Sequence, residues 1–415
     1  MRYTADPTLE RHGKVVLGGS PLKLFRVTDA GGRLVARIVA GDHVSESPLV
    51  ERLLDAGAIH PCPAGGPYTA ADVTVVVPSF GRPSPVAGAL LVDDASPQPV
   101  AGAAVRLPVN DGPAAARNAG LALVNTPLVA FVDTDVTVAA DWLDALLPHF
   151  ADPRVALVAP RVVTPGEPIS SLDLGADPAR IRAGSRVSYV PAAAIVCRVD
   201  ALRAVGGFDD TLRVGEDVDL VWRLDTAGWR CRYEPRSTVE HEPRPTRRGW
   251  WRQRVAYGAS AGPLAVRHPG ALAPLRMSGW SIAAWLLGVL GRPATGAAVG
   301  FGSSAALIRK LPDVPARAAF RLAATGNARA GEQIAAAVRR AWWPILAMLA
   351  WRSKAARKVL VASALAARSP TRVADDVAYS VGLWRGAWAA RTVAPLIPEI
   401  TSWPGRAGAR PPGAD

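Results

Sequence analysis

The stretch Leu128-Val-Ala-Phe-Val-Asp-Thr-Asp135 decides how the rest of this chain is read. Five apolar residues, Leu128 to Val132, run directly into two carboxylates one residue apart. A continuous apolar run of that length reads as a buried strand, and the abrupt acid pair marks its carboxyl end. In an open α/β sheet, ligands sit beyond the carboxyl ends of the strands. Two oxygen ligands at this spacing suit a hard divalent cation, Mg²⁺ or Mn²⁺, which keeps water and gathers phosphate oxygens. Asp-Thr-Asp is also ordinary turn chemistry at the end of a strand. Alone, the stretch fits both readings; its surroundings separate them.

Outward from it, residues 72–243 alternate strand and helix signals. Val73-Thr-Val-Val-Val77 is β-rich and ends at Pro78, Leu90-Leu-Val92 ends at Asp93-Asp94, and Val105-Arg-Leu107 is a third short strand. Asp111 to Val124 is Ala-rich and helical, with Asp111 as its N-cap. A helix from Asp141 to Phe150, a strand from Val155 to Ala159 and a strand near Arg232 to Glu234 follow. The alternation predicts an α/β domain: a mostly parallel sheet with helices on both faces. Arg82-Pro-Ser-Pro85 cannot start a long helix and still reach Leu90 as a strand. The first crossover is therefore expected to be a loop, at the lower limit of about a dozen residues for a parallel connection.

The flanks differ in kind. Residues 1–68 read as a small separate unit. Two short strands surround Gly18-Gly19, and Leu34, Val35, Ile38 and Val39 have helical spacing. A second helix begins at Ser47-Pro48 in N-cap and N1 order and stops at Gly57. Pro61, Pro63, Gly65, Gly66 and Pro67 form a linker. Residues 244–415 hold 25 basic and 6 acidic residues, whereas residues 1–243 hold 23 and 29. Only five of the 48 basic residues are lysine, so part of the arginine count reflects coding bias, but the asymmetry between the halves survives that discount. Such a basic half fits nucleic acid or an anionic membrane surface. Aromatics do not interleave with the basic runs in any recognisable module, which argues against nucleic acid.

Ser278 to Gly291, Pro293 to Ile308 and Ala341 to Trp351 carry no charge apart from the Arg292 that separates the first two. Each is shorter than the roughly 20 residues that cross a bilayer. Trp280, Trp285, Trp342 and Trp343 suit a membrane interface, and packed helices of a helical domain fit equally. The N-terminus has no apolar segment of the signal-peptide kind. Cys62, Cys197 and Cys231 are scattered and odd in number, which fits a reducing compartment.

Four motifs occur in order: Val75-Val-Val-Pro-Ser-Phe-Gly-Arg82; Val92-Asp-Asp-Ala-Ser96; Asn110-Asp-Gly-Pro-Ala-Ala-Ala-Arg-Asn-Ala-Gly120 leading to Asp133-Thr-Asp135; and Gly206-Gly-Phe-Asp209 followed by Gly215-Glu-Asp-Val-Asp-Leu220. Together, over residues 72–243, they resemble the family 2 glycosyltransferases, whose nucleotide-sugar-binding α/β fold is called GT-A. Within that family the resemblance is greatest to the mycofactocin-biosynthesis glycosyltransferases. That group joins a small N-terminal domain similar to the PqqD-type peptide chaperone, of winged-helix type, to the catalytic domain and a basic, apolar C-terminal region.

The resemblance implies a role for each motif residue. Pro78 and Ser79 border the base and ribose of a UDP-sugar, and Asp93, with Asp94 beside it, accepts from the uracil N–H. Arg117 holds the base or diphosphate as a charged donor. Asp133 lies near the ribose and the metal, and Asp135 is the direct ligand of Mg²⁺ or Mn²⁺. His241 is a candidate further ligand, although a lone histidine is more often structural. Asp217 is the base and Glu216 places the acceptor.

A departing nucleoside diphosphate gains charge that a metal stabilises, and an attacking hydroxyl must lose a proton that a carboxylate can take. Glu216, Asp217 and Asp219 also suit the first turn of a helix for electrostatic reasons. The expected reaction is inverting transfer, from UDP-glucose to a modified peptide or a redox-cofactor precursor made from it, giving a β-linked product. A lipid or cell-envelope polysaccharide acceptor, and a non-catalytic binding protein, stay open at this point. The expected location is cytoplasmic, at the inner face of the cell membrane.

Overall fold

A computed structural model of the chain describes residues 1–166, 170–243 and 246–402. It contains two compact units, Met1–Arg244 and Pro245–Asp415.

The first unit begins with a small module. Strand β1 (Arg2–Ala5) pairs antiparallel with β5 (Ile59–Cys62), while β2 (Glu10–His12), β3 (Val15–Gly18) and β4 (Lys23–Arg26) form a meander. Helices α1 (Asp29–Val39) and α2 (Pro48–Asp55) stand between β4 and β5. Each is started by a side chain that accepts an orphan amide: Thr28 from Gly31, and Ser47 from Val50. Gly57, at φ +67°, ends the second. Val16, Phe25, Val35, Ile38, Val50, Leu53 and Ile59 make the module's own core.

The main sheet has nine strands, which include β6 (Val73–Ser79), β7 (Leu90–Asp93), β8 (Val105–Arg106), β9 (Leu128–Val132), β10 (Val136–Thr137), β11 (Val155–Val163), β12 (Ala179–Ile181), β13 (Ala194–Arg198) and β14 (Arg230–His241). Their order is β10-β14-β11-β13-β9-β6-β7-β8, with β12 also on β14. The sheet is mixed rather than mostly parallel. β6, β7, β8 and β9 run together, but β13 runs against both β9 and β11. Every residue of β13 is buried, so its sequence carries no alternation from which its direction could be read.

Two layers cover the sheet. On one face Val77, Leu91, Ala130, Val132, Val158 and Val196 pack with Trp142, Leu146 and Phe150. On the other lies α3 (Pro113–Leu121). A Cβ on its Gly120 would stand 2.3 Å from Cγ1 of Val76, so only glycine admits this close approach. The expected cap is displaced: α3 starts from Gly112, at φ +96°, with Pro113 at N1, and Asp111 instead gives its amide to Asp94. The expected helix over Asp141–Phe150 is a series of turns ending in a 3₁₀ segment, Leu147–Ala151. Pro148 supplies no amide, and Asp144 and Leu146 bond three residues back to Asp141 and Leu143. Residues 80–89 contain no helix, as Arg82-Pro-Ser-Pro85 requires; Val86 and Ala89 cover the sheet there.

Helices α4 (Val199–Ala204) and α5 (Glu216–Thr226) belong to the first unit, before β14; the second unit is mainly helical and opens with α6 (Arg247–Ala259) and α7 (Ala261–Arg267). Then follow α8 (Gly279–Val289), α9 (Pro293–Lys310), α10 (Ala316–Ala337), α11 (Trp343–Ala350), α12 (Lys354–Ala366) and α13 (Pro370–Ala389), with β15 (Arg276–Ser278) parallel to β16 (Glu399–Ser402). α6 and α13 touch backbone to backbone: a Cβ on Gly258 would stand 1.9 Å from the Tyr379 carbonyl oxygen. Among the described residues no helix is long and apolar enough to cross a membrane.

Candidate active site

The buried run Leu128–Val132 forms the central strand β9, and its last residues open at the carboxyl end of the sheet. Asp133 gives its amide to the Ala193 carbonyl at 2.9 Å, and Val136 bonds back to the Asp133 carbonyl at 3.1 Å. That turn sends β10 against the end of β14, with Val136 opposite His241, and Glu242 donates its amide to the Asp135 carbonyl. His241 Nε2 consequently lies 3.5 Å from Asp135 Oδ2. Two donors this close can serve one cation. Among the described residues no group of three or more acidic, histidine or cysteine side chains is arranged for a metal. Two protein donors, with places left for water and phosphate oxygens, match the way Mg²⁺ binds, and imidazole with carboxylate also accommodates Mn²⁺.

Asp133 also has a partner within the chain. Its Oδ1 accepts from Arg117 Nη2 at 2.7 Å, and Nη1 of the same guanidinium donates to Glu216 Oε1 at 2.8 Å. Arg117 is 2% exposed, with its guanidinium 5.4 Å from the Phe208 ring centroid. Burial opposes its charge, but Asp133 and Glu216 outweigh that and raise its pKa. The sequence reading placed Arg117 against a base or diphosphate. The structure corrects this: α3 faces inward here, and Arg117 joins the acid corner to the helix that carries Glu216.

The neighbouring Asn118 performs the companion task. Its Nδ2 donates to the Phe208 carbonyl and its Oδ1 accepts from the Phe208 amide. Arg223 donates to Asp219 and to the carbonyls of Val205 and Gly207, holding the same Gly206-Gly207 turn against α5. Trp222 is buried and donates to the Ser188 carbonyl. Arg223 and Trp222 thus support α5.

Asp217 stands in the first turn of α5, after Gly215 at φ +88°. Its Oδ1 accepts from the Val218 amide at 2.8 Å, and its Oδ2 from the Ala192 amide at 3.4 Å. Ala192 precedes the Ala193 whose carbonyl accepts from the Asp133 amide, so one short segment holds the Asp133 backbone and the Asp217 carboxylate. Burial, and then the Glu216 charge beside it, push the Asp217 carboxyl up to about 7. A carboxylate with that pKa exchanges protons near neutral pH.

Pro78 and Ser79 end β6 in register with Val92 and Asp93 of β7. Ser79 is buried and gives its hydroxyl to the Arg82 carbonyl, shaping the turn that follows. Asp93 is fully enclosed. Oδ1 accepts from the amide and hydroxyl of Ser96, and Oδ2 from the Val100 amide and Arg106 Nη1. Burial works against the ionised form, yet these donors hold Asp93 at about 2. Its four acceptor positions are filled from within the chain. This corrects the reading of Asp93 as a direct acceptor for uracil. Asp94 accepts from Asn110 Nδ2 and from the amides of Asp111 and Gly112, and among the described residues Oδ1 accepts one bond and Oδ2 two.

Arg82, Arg106 and Glu242 were given no role from sequence. Arg82 donates to Glu242 at 2.8 Å, beside His241, and Arg106 reaches both Asp93 and the Ser96 carbonyl. Arg82 closes the first motif and Glu242 follows His241 in sequence, which is the signal by which they were to be found.

An acid corner beside an imidazole, set across a short segment from a carboxylate raised towards neutral pKa, suits a group transfer that uses a cation and a base. Comparison with known proteins narrows the class. Residues 90–175 match the family model described as Glycosyl transferase family 2. Two proteins named pre-mycofactocin glycosyltransferase, from Mycobacterium tuberculosis strains CDC 1551 / Oshkosh and ATCC 25618 / H37Rv, are each 40% identical, over 94% of this chain and 95% of theirs. Among solved structures, mannosyltransferase PcManGT from Pyrobaculum calidifontis, in complex with GDP-Man and Mn²⁺, is 17% identical over 80% of this chain and 92% of that one, with a TM-score of 0.44. The chain belongs to the family 2 glycosyltransferases, and the pre-mycofactocin enzymes are among its relatives.

Proposed function

We propose that this glycosyltransferase moves glucose from UDP-glucose onto a hydroxyl of a peptide-derived redox-cofactor precursor of the mycofactocin type, and extends it into a β-linked oligosaccharide. The observation that carries this reading is the match to the pre-mycofactocin glycosyltransferases, which runs through both compact units. The site supplies the chemistry. Asp217 takes the proton of the acceptor hydroxyl as it attacks the anomeric carbon, and Glu216, held by Arg117, places the acceptor. Attack opposite the departing diphosphate inverts the centre, so an α-linked donor gives a β-glycoside. Asp135 and His241 would hold Mg²⁺ or Mn²⁺, which when bound would supply positive charge to offset that gathering on the departing diphosphate. Asp133 borders the ribose. Asp94 reads the base edge, and Asp93 acts through Ser96 and Arg106 to keep that pocket in shape, between Pro78 and Ser79 and the Asn110–Gly112 turn.

In this reading residues 1–68 dock the peptide-derived acceptor, residues 72–243 perform the transfer, and residues 244–415 hold the enzyme at the cytoplasmic face of the cell membrane. Mass spectrometry of the acceptor after incubation with a panel of UDP-sugars tests the donor and the acceptor together. Successive hexose additions from UDP-glucose alone are expected. Addition from a different sugar, or label entering only a lipid-extracted pool, contradicts the reading. Deletion of residues 1–66 is expected to weaken use of the peptide-derived acceptor, and unchanged turnover contradicts the docking role.

A further inference from the structure

The second unit exposes an organised apolar and basic face that the transfer reaction does not use. On α11, Ile345, Met348 and Leu349 recur at intervals of three and one residues and are all exposed, so they share one helix face, and the exposed Arg352 follows just past the helix end. On α12, Lys354, Lys358, Val361 and Leu365 recur at four, three and four, again all exposed. Trp351, between the two helices, is 88% exposed, Leu365 73% and Met348 72%. A folded surface normally shelters such side chains, and a contiguous set of them marks a docking face.

Charge identifies what docks there. Residues 343–368 contain five basic residues, Arg352, Lys354, Arg357, Lys358 and Arg368, and no acidic one. Among the described residues, none of Arg352, Lys354, Arg357 and Lys358 is paired with a carboxylate. Arg368, at the far end, reaches Glu332 only at 4.0 Å. The adjoining α8, which packs against α12, adds exposed Trp285, Leu286, Val289 and Leu290 just before Arg292. Apolar tips beside flexible cationic stems match the boundary of a bilayer, where acyl chains begin under a layer of phosphates.

We propose that α11 and α12 form an interfacial hairpin that lies flat on an anionic phospholipid surface. Ile345, Met348, Leu349, Trp351, Val361 and Leu365 enter the acyl boundary, and Arg352, Lys354, Arg357 and Lys358 meet the phosphates. This deepens the membrane-surface reading above, by naming the elements that make the contact, and is independent of the sugar and acceptor.

The full chain is sedimented with phosphatidylcholine vesicles, with and without added phosphatidylglycerol. Binding is expected on the phosphatidylglycerol vesicles, falling as salt rises. Replacing Lys354 and Lys358 together by Gln weakens it about 25-fold, taking about fivefold per charge near an anionic surface. Met348→Ser with Trp351→Ser weakens it at least as much. Both pairs of residues are exposed, and glucose transfer to soluble acceptor without vesicles stays at the wild-type rate, which keeps a failure of this surface separate from a failure of the transfer reading. Wild-type binding by both double variants, equal binding to both kinds of vesicle, or self-association that the same variants abolish in place of vesicle binding, overturns the proposal.

Discussion

Arg117 and Glu216 meet at 2.8 Å although 99 residues separate them in the chain. The second arm of the same guanidinium holds Asp133 at 2.7 Å. One buried cation therefore joins the acid corner at the end of β9 to the first turn of α5, the two places proposed for the donor and acceptor sides of the reaction. Removing it leaves two carboxylates facing each other in a poorly solvated space. Breaking a buried pair from one side costs about 3–5 kcal/mol. Arg117→Ala is expected to lower the unfolding free energy by roughly that amount in a urea titration and to abolish transfer. Arg117→Lys keeps the charge without the planar fork, and is expected to recover stability in part and activity little. Wild-type stability in Arg117→Ala contradicts the tie.

The pH dependence follows from Asp217. Burial and the Glu216 charge raise its pKa to about 7, and in the role of base proposed for it the carboxyl must be deprotonated to act. With the wild-type enzyme, kcat/KM is expected to fall tenfold per pH step below about 7 and to level off above it. A profile that stays flat down to pH 5 excludes Asp217 as the titrating base.

Metal use is testable without relying on turnover. Asp135 and His241, 3.5 Å apart, are the two protein donors proposed for the cation. Mn²⁺ binding followed by electron paramagnetic resonance is expected to weaken roughly tenfold or more in Asp135→Asn and in His241→Ala, since even outer-shell changes reach that size. Unchanged Mn²⁺ affinity in both variants places the cation elsewhere.

A fourth expectation concerns packing. A methyl group on Gly120 would press on Val76 Cγ1 and on Val92, both buried in the sheet beneath α3. Overpacking of this kind typically costs about 1–3 kcal/mol. Gly120→Ala should lower the midpoint of thermal unfolding measurably, and an unchanged midpoint means that α3 moves away from the sheet at no cost.

Legibility in the sequence follows the range of the interactions. β9, Ser47-Pro48 at the start of α2, Gly57 at its end and the helix-free first crossover all depend on residues close together in the chain, and each was readable. The direction of β13 was not, because a strand buried on both faces has no polar side to orient it. The Leu/Ala-rich segment before Pro148 has helical composition, but its amides bond mostly three residues back, with a single four-residue bond from Leu147 to Leu143 before Pro148 interrupts the ladder. At the site, the acids and the His were visible as types. Their division of labour was not: Asp93 is consumed by Ser96, Val100 and Arg106, and Arg117 by two acids distant in sequence. Such pairings are decided by the fold and leave no local pattern.

The central claim is that Asp217 is the base of a UDP-glucose-dependent transfer. The most direct test is the rate at which labelled glucose passes from UDP-glucose to the peptide-derived acceptor, with Mn²⁺ present, in wild-type enzyme and Asp217→Asn. A fall of about 10²–10⁴-fold with UDP binding retained is the predicted result. Transfer by Asp217→Asn at the wild-type rate contradicts the account.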